Sequence, residues 1–197
     1  MTLSSLDMSR SQSLKALTRD THQSLDMSIM AAAAFDTIEG YARFTAVQYL
    51  FHRDIETLYD DAALRRLLPG LAGRRRLPLI ASDLTDLGHS LPHADDLPVF
   101  VGGQAADTPR ALGWLYVAEG SNMGAALLRK EAAKLGLSDQ HGARHLAPPP
   151  AGPAAYWRAF TGALDAAVLT AEEEVRVVIG ANAAFARVQA LADARLG

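Results

Sequence analysis

The segment Gly113-Trp-Leu-Tyr-Val-Ala-Glu-Gly120-Ser-Asn-Met-Gly124-Ala-Ala-Leu-Leu128 has the apolar periodicity of an α-helix, yet it contains three glycines. They stand at positions i, i+7 and i+11, which fall within about 40° of one another around a helix. Each glycine costs about 1 kcal/mol relative to alanine in a helix interior. Two explanations for this bare face stay open: close packing by another helix, or a flat or bulky ligand lying directly on the backbone.

Length, charge and cysteine content limit the class of protein. The 197 residues suit one domain with a substantial core, and we expect that domain to span residues 1–197 after about ten flexible residues. The net charge of −3 gives no reason to expect nucleic acid or a membrane surface as a partner. No apolar run suggests a membrane span, and the start does not resemble a signal peptide. Cysteine is absent, which fits a cytoplasmic location.

The composition predicts an all-α domain, because alanine, leucine and arginine are abundant and alternating β-branched runs are missing. We expect helices over residues 10–30, 36–62, 74–87, 108–136, 153–167 and 171–195. Thr170 and Glu173 have the spacing of a capping box at the start of the last helix. The proline-containing segments 88–108 and 141–153 are interpreted as connections within one domain.

The first predicted helix combines an apolar stripe with a polar edge. The stripe consists of Leu14, Leu17, Thr21, Leu25 and Ile29. Lys15, His22 and Asp26 lie beside it, within about 40° of one another. Lys15 and His22 are about 10.5 Å apart along a helix axis, roughly the span from a heme iron to its propionates. The imidazole could bind iron while the ammonium pairs with a carboxylate, although a histidine beside an apolar stripe is more often a core or surface residue.

Five segments, spread in order over about residues 12–190, match one protein family. They are Thr21-His-Gln-Ser-Leu-Asp26, Gln48-Tyr-Leu-Phe-His52, the glycine segment 113–126, His141-Gly-Ala-Arg-His-Leu-Ala-Pro148 and Trp157-Arg-Ala-Phe160. Together they resemble the bacterial heme oxygenases, specifically the branch found in heme-using Gram-negative bacteria. The resemblance implies an all-helical, single-domain fold in which heme lies between a proximal and a distal helix.

The resemblance also implies which residues hold heme. His22 matches the proximal ligand of the heme iron. Lys15 matches a lysine that pairs with a heme propionate, and Tyr116 matches a distal-helix tyrosine near the propionates. Arg158 stands where some relatives have a basic propionate partner, and Phe185 matches an aromatic residue of the pocket.

On the distal side, Gly120 and Gly124 match glycines that let the backbone approach heme and its bound O₂. Asp26, Gln48 and His52 match residues that organise ordered water. For Gln48 and His52 the alternative is an exposed pair at i, i+4. The distal aspartate of mammalian-type enzymes aligns with Gly120, which shifts proton delivery to the water network.

Two further departures bear on how heme is oriented. A final-helix tyrosine of close relatives is replaced by Val188. One branch of the family rotates its heme with basic residues at the positions of Met30 and Glu131, and neither residue is basic here, whereas Lys15 is present. The resemblance therefore implies the common orientation and cleavage at the α-meso carbon.

The chain has no nucleotide-binding glycine loop and no cysteine cluster, so we expect no intrinsic flavin or nicotinamide site and an external electron donor, such as a ferredoxin or a flavin reductase. Basic pairs and triplets could form a docking face for that donor, or an ordinary solvated surface. They are Arg65-Arg66, Arg74-Arg75-Arg76 and Arg129-Lys130.

The predicted function is that of a monomeric heme oxygenase, which converts heme, O₂ and electrons into biliverdin IXα, CO and Fe²⁺. Heme is then both substrate and cofactor. The alternative is a carrier or sensor that binds heme without degrading it, and the three water-organising residues favour the enzyme. The sequence leaves open whether the cell uses the iron or the bilin.

Other histidines give weaker signals. His141 and His145 are spaced like zinc ligands, but no glutamate follows His141 as in the metalloprotease motif. They are interpreted as part of a loop or short helix beside the core, and His89 and His93 as surface residues. A di-iron bundle is excluded because no Glu-x-x-His pair occurs.

Overall fold

Helices make up the fold, as the composition predicts. The computed structural model describes residues 8–31, 34–94 and 96–196, and this part of the chain contains α-helices and short 3₁₀ turns but no strand. The helices are α1 (Arg10–Leu17), α2 (Arg19–Ala31), α3 (Ile38–Ile55), α4 (Ala62–Leu67), α5 (Leu77–Asp86), α6 (Thr108–Lys134), α7 (Pro153–Ala166) and α8 (Ala171–Leu196). The 3₁₀ turns are Glu56–Asp60, Leu71–Arg74 and Arg144–Leu146. The expected flexible start falls mostly on residues 1–7, outside the described residues.

The first predicted helix is in fact two helices that meet at Thr18. The hydroxyl of this buried threonine donates to the Leu14 carbonyl at 2.7 Å, and its backbone (φ −108°, ψ 7°) departs from α-helical geometry. The predicted apolar stripe is wrong at Leu17, which is 61% exposed, and at Thr21, which is also exposed, whereas Leu14 and Leu25 are buried. The axial distance predicted between Lys15 and His22 assumed one continuous helix, and the break at Thr18 interrupts that helix.

The second predicted helix, 36–62, also divides. It ends as an α-helix at Ile55, continues as a 3₁₀ turn to Asp60, and gives way to the short helix α4. Asp61 begins α4, because its carboxylate accepts the backbone N–H groups of Ala63 and Leu64 at 2.9 Å each.

Glycine is required where α6 crosses α8, because the two helix backbones are in contact there. A Cβ atom at Gly113 would lie 2.1 Å from the Val177 carbonyl oxygen and 2.5 Å from the Ala181 nitrogen. A Cβ at Gly180 would lie 2.1 Å from the Arg110 carbonyl oxygen. Backbone therefore meets backbone at this crossing. Close helix packing is the explanation for Gly113, and the sequence argument overlooked its partner Gly180.

The ends of α8 and α1 are fixed by hydrogen bonds. The predicted capping box is confirmed: Glu173 accepts the Thr170 backbone N–H at 2.8 Å, and the Thr170 hydroxyl accepts the Glu173 N–H at 3.2 Å. The Arg10 guanidinium donates to both carboxylate oxygens of Glu174 and to the Ala167 carbonyl. This bidentate pair joins α1 to the junction of α7 and α8.

By length and composition alone, α8 is apolar enough to cross a membrane, with a mean hydropathy of 1.2. Core helices of soluble proteins pass the same test, so this is weak evidence for a span. Here α8 packs along α6 and also contacts α2 and α3.

Two histidines lie in the core. His52 is 2% exposed, and burial lowers its pKa from 6.5 to about 3. His145 is also buried, with Nδ1 2.8 Å from an Asp83 carboxylate oxygen; burial lowers its pKa in spite of that hydrogen bond. The alternative of an exposed His52 is therefore wrong. The described residues also contain no cluster of three metal-ligating side chains, so His141 and His145 form no zinc site with a third such residue there.

Replacing Gly113 by alanine should lower the free energy of unfolding by about 3 kcal/mol, because the added methyl group meets backbone that cannot rotate away. Denaturant unfolding followed by circular dichroism measures this. The matched control is Gly124→Ala on the same helix, where a Cβ has no neighbour within 4 Å; it should raise stability by about 1 kcal/mol. Equal stabilities for the two variants would contradict the described crossing.

The buried His52 should make the protein less stable in acid. Its pKa is lower in the folded than in the unfolded chain, so the unfolded chain binds more protons, and stability is complete above about pH 6.5 and lost as pH falls toward 3. Between about pH 5.5 and 4.5, His52→Gln should reduce the slope of unfolding free energy against pH by about 1.4 kcal/mol per unit. Thr45→Val, a buried neighbour without a titrating group, should leave the slope unchanged. An unchanged slope in His52→Gln would show that this ring is not kept neutral by the fold.

Candidate functional site

The second half of α6 presents an exposed face made of backbone and apolar side chains. Gly120 is partly exposed and Gly124 is exposed, and a Cβ at Gly124 would have no neighbour within 4 Å. Met123 and Leu127, 47% and 57% exposed, lie within about 60° of Gly120 around the helix. Sequence reasoning missed these two side chains, although their i+3 and i+7 spacing from Gly120 would have found them. The face has the shape and polarity that suit a flat apolar ligand.

Helix α7 gives this face an aromatic edge. The ring of Trp157 lies 3.7 Å from where a Cβ of Gly120 would be. Its centroid is 5.6 Å from that of Tyr116 and 5.8 Å from that of Phe160. Burial, and then the negative charge of Asp165, raises the pKa of Tyr116, so the phenol stays protonated. The predicted Tyr116 and Gly120 are therefore brought together, and Trp157 joins them.

Helix α2 carries the predicted iron ligand. The His22 side chain is 61% exposed, with its Nε2 3.6 Å from an Asp26 carboxylate oxygen. The His22 ring lies 5.7 Å from the Phe185 ring of α8. Three predicted residues are thus adjacent. Lys15, also exposed, stands on α1, beyond the junction at Thr18, and Arg158 is exposed on α7.

The predicted water-organising residues lie on two separate elements. Gln48, half-buried, and His52 share a face of α3 with Tyr41 and Thr45, at spacings i, i+4, i+7 and i+11. Asp26 is on α2, and no hydrogen bond joins it to Gln48 or His52 among the residues that the structure describes. The structure therefore groups Gln48 with His52, and Asp26 with His22.

A buried ion pair holds α6 directly before its exposed face. The Arg74 guanidinium donates to the Glu119 carboxylate at 2.7 Å, and both side chains are buried. Arg74 also donates to the Tyr156 carbonyl at 3.1 Å and stacks 3.8 Å from the centre of that ring. Burial raises the pKa of Glu119 against the opposing charge of Arg74. The residue before Gly120 is thereby tied to the start of α7.

The predicted basic docking face is wrong for Arg74 and weakened for Arg75 and Arg76, which are only partly exposed. Arg74 is in the core, and Arg75 pairs with Glu56 at 3.0 Å and with Asp60 at 2.6 Å. Arg76 donates to the His145 carbonyl, and Arg129 pairs with Asp139 at 2.5 Å. The exposed members of the predicted face are Arg65, Arg66, Arg129 and Lys130, of which Arg129 is paired with Asp139.

The structure also describes two of the three positions that bear on heme orientation, Glu131 and Val188. Glu131 accepts from Lys134 at 2.5 Å, and Val188 is buried in the core. The side chain of Met30 lies outside the described residues. A cleft of about 560 Å³ between Thr57 and the segment 99–107 contains none of the predicted site residues.

Comparison with known proteins identifies the family. A model of the heme oxygenase family matches residues 8–194. Heme oxygenase PigA of Pseudomonas aeruginosa is 46% identical over 178 residues, which are 90% of this chain and 88% of that protein.

Two solved structures are similar. Crystal structures of the NO- and CO-bound heme oxygenase from Neisseria meningitidis match with a TM-score of 0.89 and 39% identity, over 96% of this chain and 93% of that one. Heme oxygenase from Leptospira interrogans matches with a TM-score of 0.74 over 95% and 100%, and at 16% identity this likeness concerns the fold alone. The resemblance inferred from five short segments is therefore confirmed over nearly the whole chain, which belongs to the heme oxygenase family and is an enzyme that degrades heme.

Proposed function

We propose that this enzyme binds heme between α2 and the exposed face of α6 and cleaves it at the α-meso carbon, giving biliverdin IXα, CO and Fe²⁺. The observation that carries the proposal is the face at Gly120 and Gly124, where backbone is open to a flat ligand and no Cβ stands in the way. Family membership favours this degradation over the alternative of a heme carrier or sensor.

The residues around the face fit heme. His22 has an exposed imidazole, which can supply one axial bond to iron without the electronic push of a thiolate. Phe185 lies against that imidazole and restricts its orientation. The exposed cations of Lys15 and Arg158 are available for the two propionates, and Tyr116 adds a hydroxyl on the same side of α6 as Gly120.

Glycine at positions 120 and 124 leaves room for O₂ and places no acid beside it. Protons for the reduction of O₂ must then come from water, which Asp26, Gln48 and His52 would hold. A buried imidazole with a pKa near 3 stays neutral at physiological pH, so His52 can accept a hydrogen bond from water as well as donate one.

We infer the α-meso position from the residues that could rotate heme. Neither Met30 nor Glu131 is basic, and the Glu131 carboxylate is engaged by Lys134. Lys15, which matches the propionate-pairing lysine of the family, is present and would pair with a propionate in the common orientation. Electrons come from an external donor such as a ferredoxin or a flavin reductase, with no flavin or nicotinamide site in this chain. We propose a cytoplasmic monomer, with no membrane or nucleic acid as a partner.

The identity of the bilin tests site, orientation and activity together. Protein, heme and O₂ with ascorbate, or with a ferredoxin and its reductase, and with catalase present, should yield biliverdin IXα as the main isomer by chromatography. Another isomer would contradict the proposed orientation. Persistent heme absorbance without any bilin would contradict the proposed site as a whole.

Replacing His22 by alanine should remove the protein's axial bond to iron and leave the helical fold unchanged, because the side chain is exposed and packs little. The visible spectrum of the heme complex should change, and added imidazole should restore it, while circular dichroism stays the same. His89→Ala, which removes a histidine paired with Glu39, is the matched control and should keep the wild-type spectrum. An unchanged spectrum in His22→Ala would identify a different ligand.

A further inference from the structure

Two buried imidazole nitrogens lack hydrogen-bond partners among the described residues: Nδ1 of His52 and Nε2 of His145. Both rings are almost fully buried. A buried polar atom without a partner costs about 1–3 kcal/mol. Helix α3, which carries His52, and the 3₁₀ turn that carries His145 both pack against α5, so these two unpaired nitrogens require an explanation. The function described above uses His52 but gives no role to His145.

His145 is held in one orientation by Asp83 of α5. The completely buried carboxylate accepts the His145 Nδ1–H at 2.8 Å, the His145 backbone N–H at 3.0 Å and the Arg144 backbone N–H at 2.9 Å. Burial raises the pKa of Asp83, but these hydrogen bonds outweigh it and hold the pKa below its usual value. With the proton fixed on Nδ1, the Nε2 of a neutral His145 carries a lone pair and can only accept.

Burial is the main reason that both rings stay neutral, because it lowers the pKa of each, while the Asp83 carboxylate acts in the opposite direction on His145. Arg76, which precedes α5, donates to the His145 carbonyl, and its positive charge disfavours protonation of either ring. A charge on His145 would likewise disfavour one on His52, so the two rings are electrostatic neighbours. On α3, burial raises the pKa of the Tyr41 hydroxyl, and the negative charge of Asp83 adds to this effect.

We propose that Asp83 and His145 are positioning residues that fix the tautomer of His52. In this arrangement one water molecule joins the two rings: the Nδ1–H of His52 donates to it, it donates to the lone pair on His145 Nε2, and both unpaired nitrogens gain a partner. His52 then presents the lone pair of its own Nε2. A carboxylate that orients a histidine through its second nitrogen is a general device for setting tautomers.

The consequence concerns the direction of hydrogen bonds in the distal water. A water molecule that donates one hydrogen to His52 Nε2 has its other hydrogen free to point toward O₂. The opposite tautomer, with Nε2–H, would make that water an acceptor from His52 and remove this preference. The inference rests on the proposed role of His52 in holding distal water.

Nitrogen NMR of ¹⁵N-histidine-labelled protein without heme tests the tautomer. Wild-type His52 should carry its proton on Nδ1, and so should His145. His145→Leu should release His52 into a mixture of tautomers, whereas His145→Gln, whose side-chain carbonyl can still accept, should retain the Nδ1–H form. A merely structural role predicts the same tautomer in all three proteins. Wild-type His52 protonated on Nε2 would overturn the proposal without the need for any variant.

Turnover provides the second measurement. The kcat for bilin formation should fall by about 10- to 100-fold in His145→Leu with KM for heme nearly unchanged, and His145→Gln should recover most of that loss. Equal kcat in His145→Leu and wild type would overturn the proposal while leaving the proposed function intact. If wild type itself forms no bilin, the proposed site fails, yet the NMR result still reports on Asp83 and His145.

Discussion

The arrangement of the site depends on backbone meeting backbone where α6 crosses α8. Because Gly113 and Gly180 carry no side chains, the two longest helices approach to a distance that any Cβ would prevent. Helix α8 in turn packs against α2 and places Phe185 beside His22. The separation between the imidazole on α2 and the bare face of α6 is therefore set through α8, which both helices contact. Dispersion and burial along this crossing therefore fix α8, and with it the position of α2 relative to α6.

The other end of the open face is held by charge. Glu119 and Arg74 form an ion pair out of water, with the Arg74 side chain between α6 and Tyr156. A buried pair of this kind contributes little net stability compared with an apolar replacement, but loss of one partner leaves an uncompensated charge. Its value here is geometric, because it fixes the residue next to Gly120 and the start of the helix that supplies Trp157. Three positions of the glycine-rich segment thus have different surroundings. Gly113 contacts the backbone of α8, Glu119 is held by an ion pair, and Gly124 faces open space.

The sequence was sufficient for the helical class, for the extent of α6 within two residues and for the capping box at Thr170, since these follow from local periodicity and local hydrogen bonding. It was insufficient where tertiary contacts decide. The turn at Thr18 depends on a threonine hydroxyl competing for a backbone carbonyl. The burial of Arg74 depends on an acid 45 positions away in the chain. One helical wheel grouped three glycines of which only Gly113 meets the backbone of another helix, because periodicity shows which residues share a face but not what covers it.

Gly113 and Gly180 also restrict how the sequence of this enzyme can change during evolution. Each position excludes a methyl group on account of main-chain atoms of the opposite helix, so a change at one site cannot be compensated by a smaller residue at the other, which is already the smallest available. Replacement of either glycine alone would destabilise the crossing. The surrounding apolar residues can be substituted when a loss of volume at one is matched by a gain at its neighbour. We expect Gly113 and Gly180 to stay unchanged.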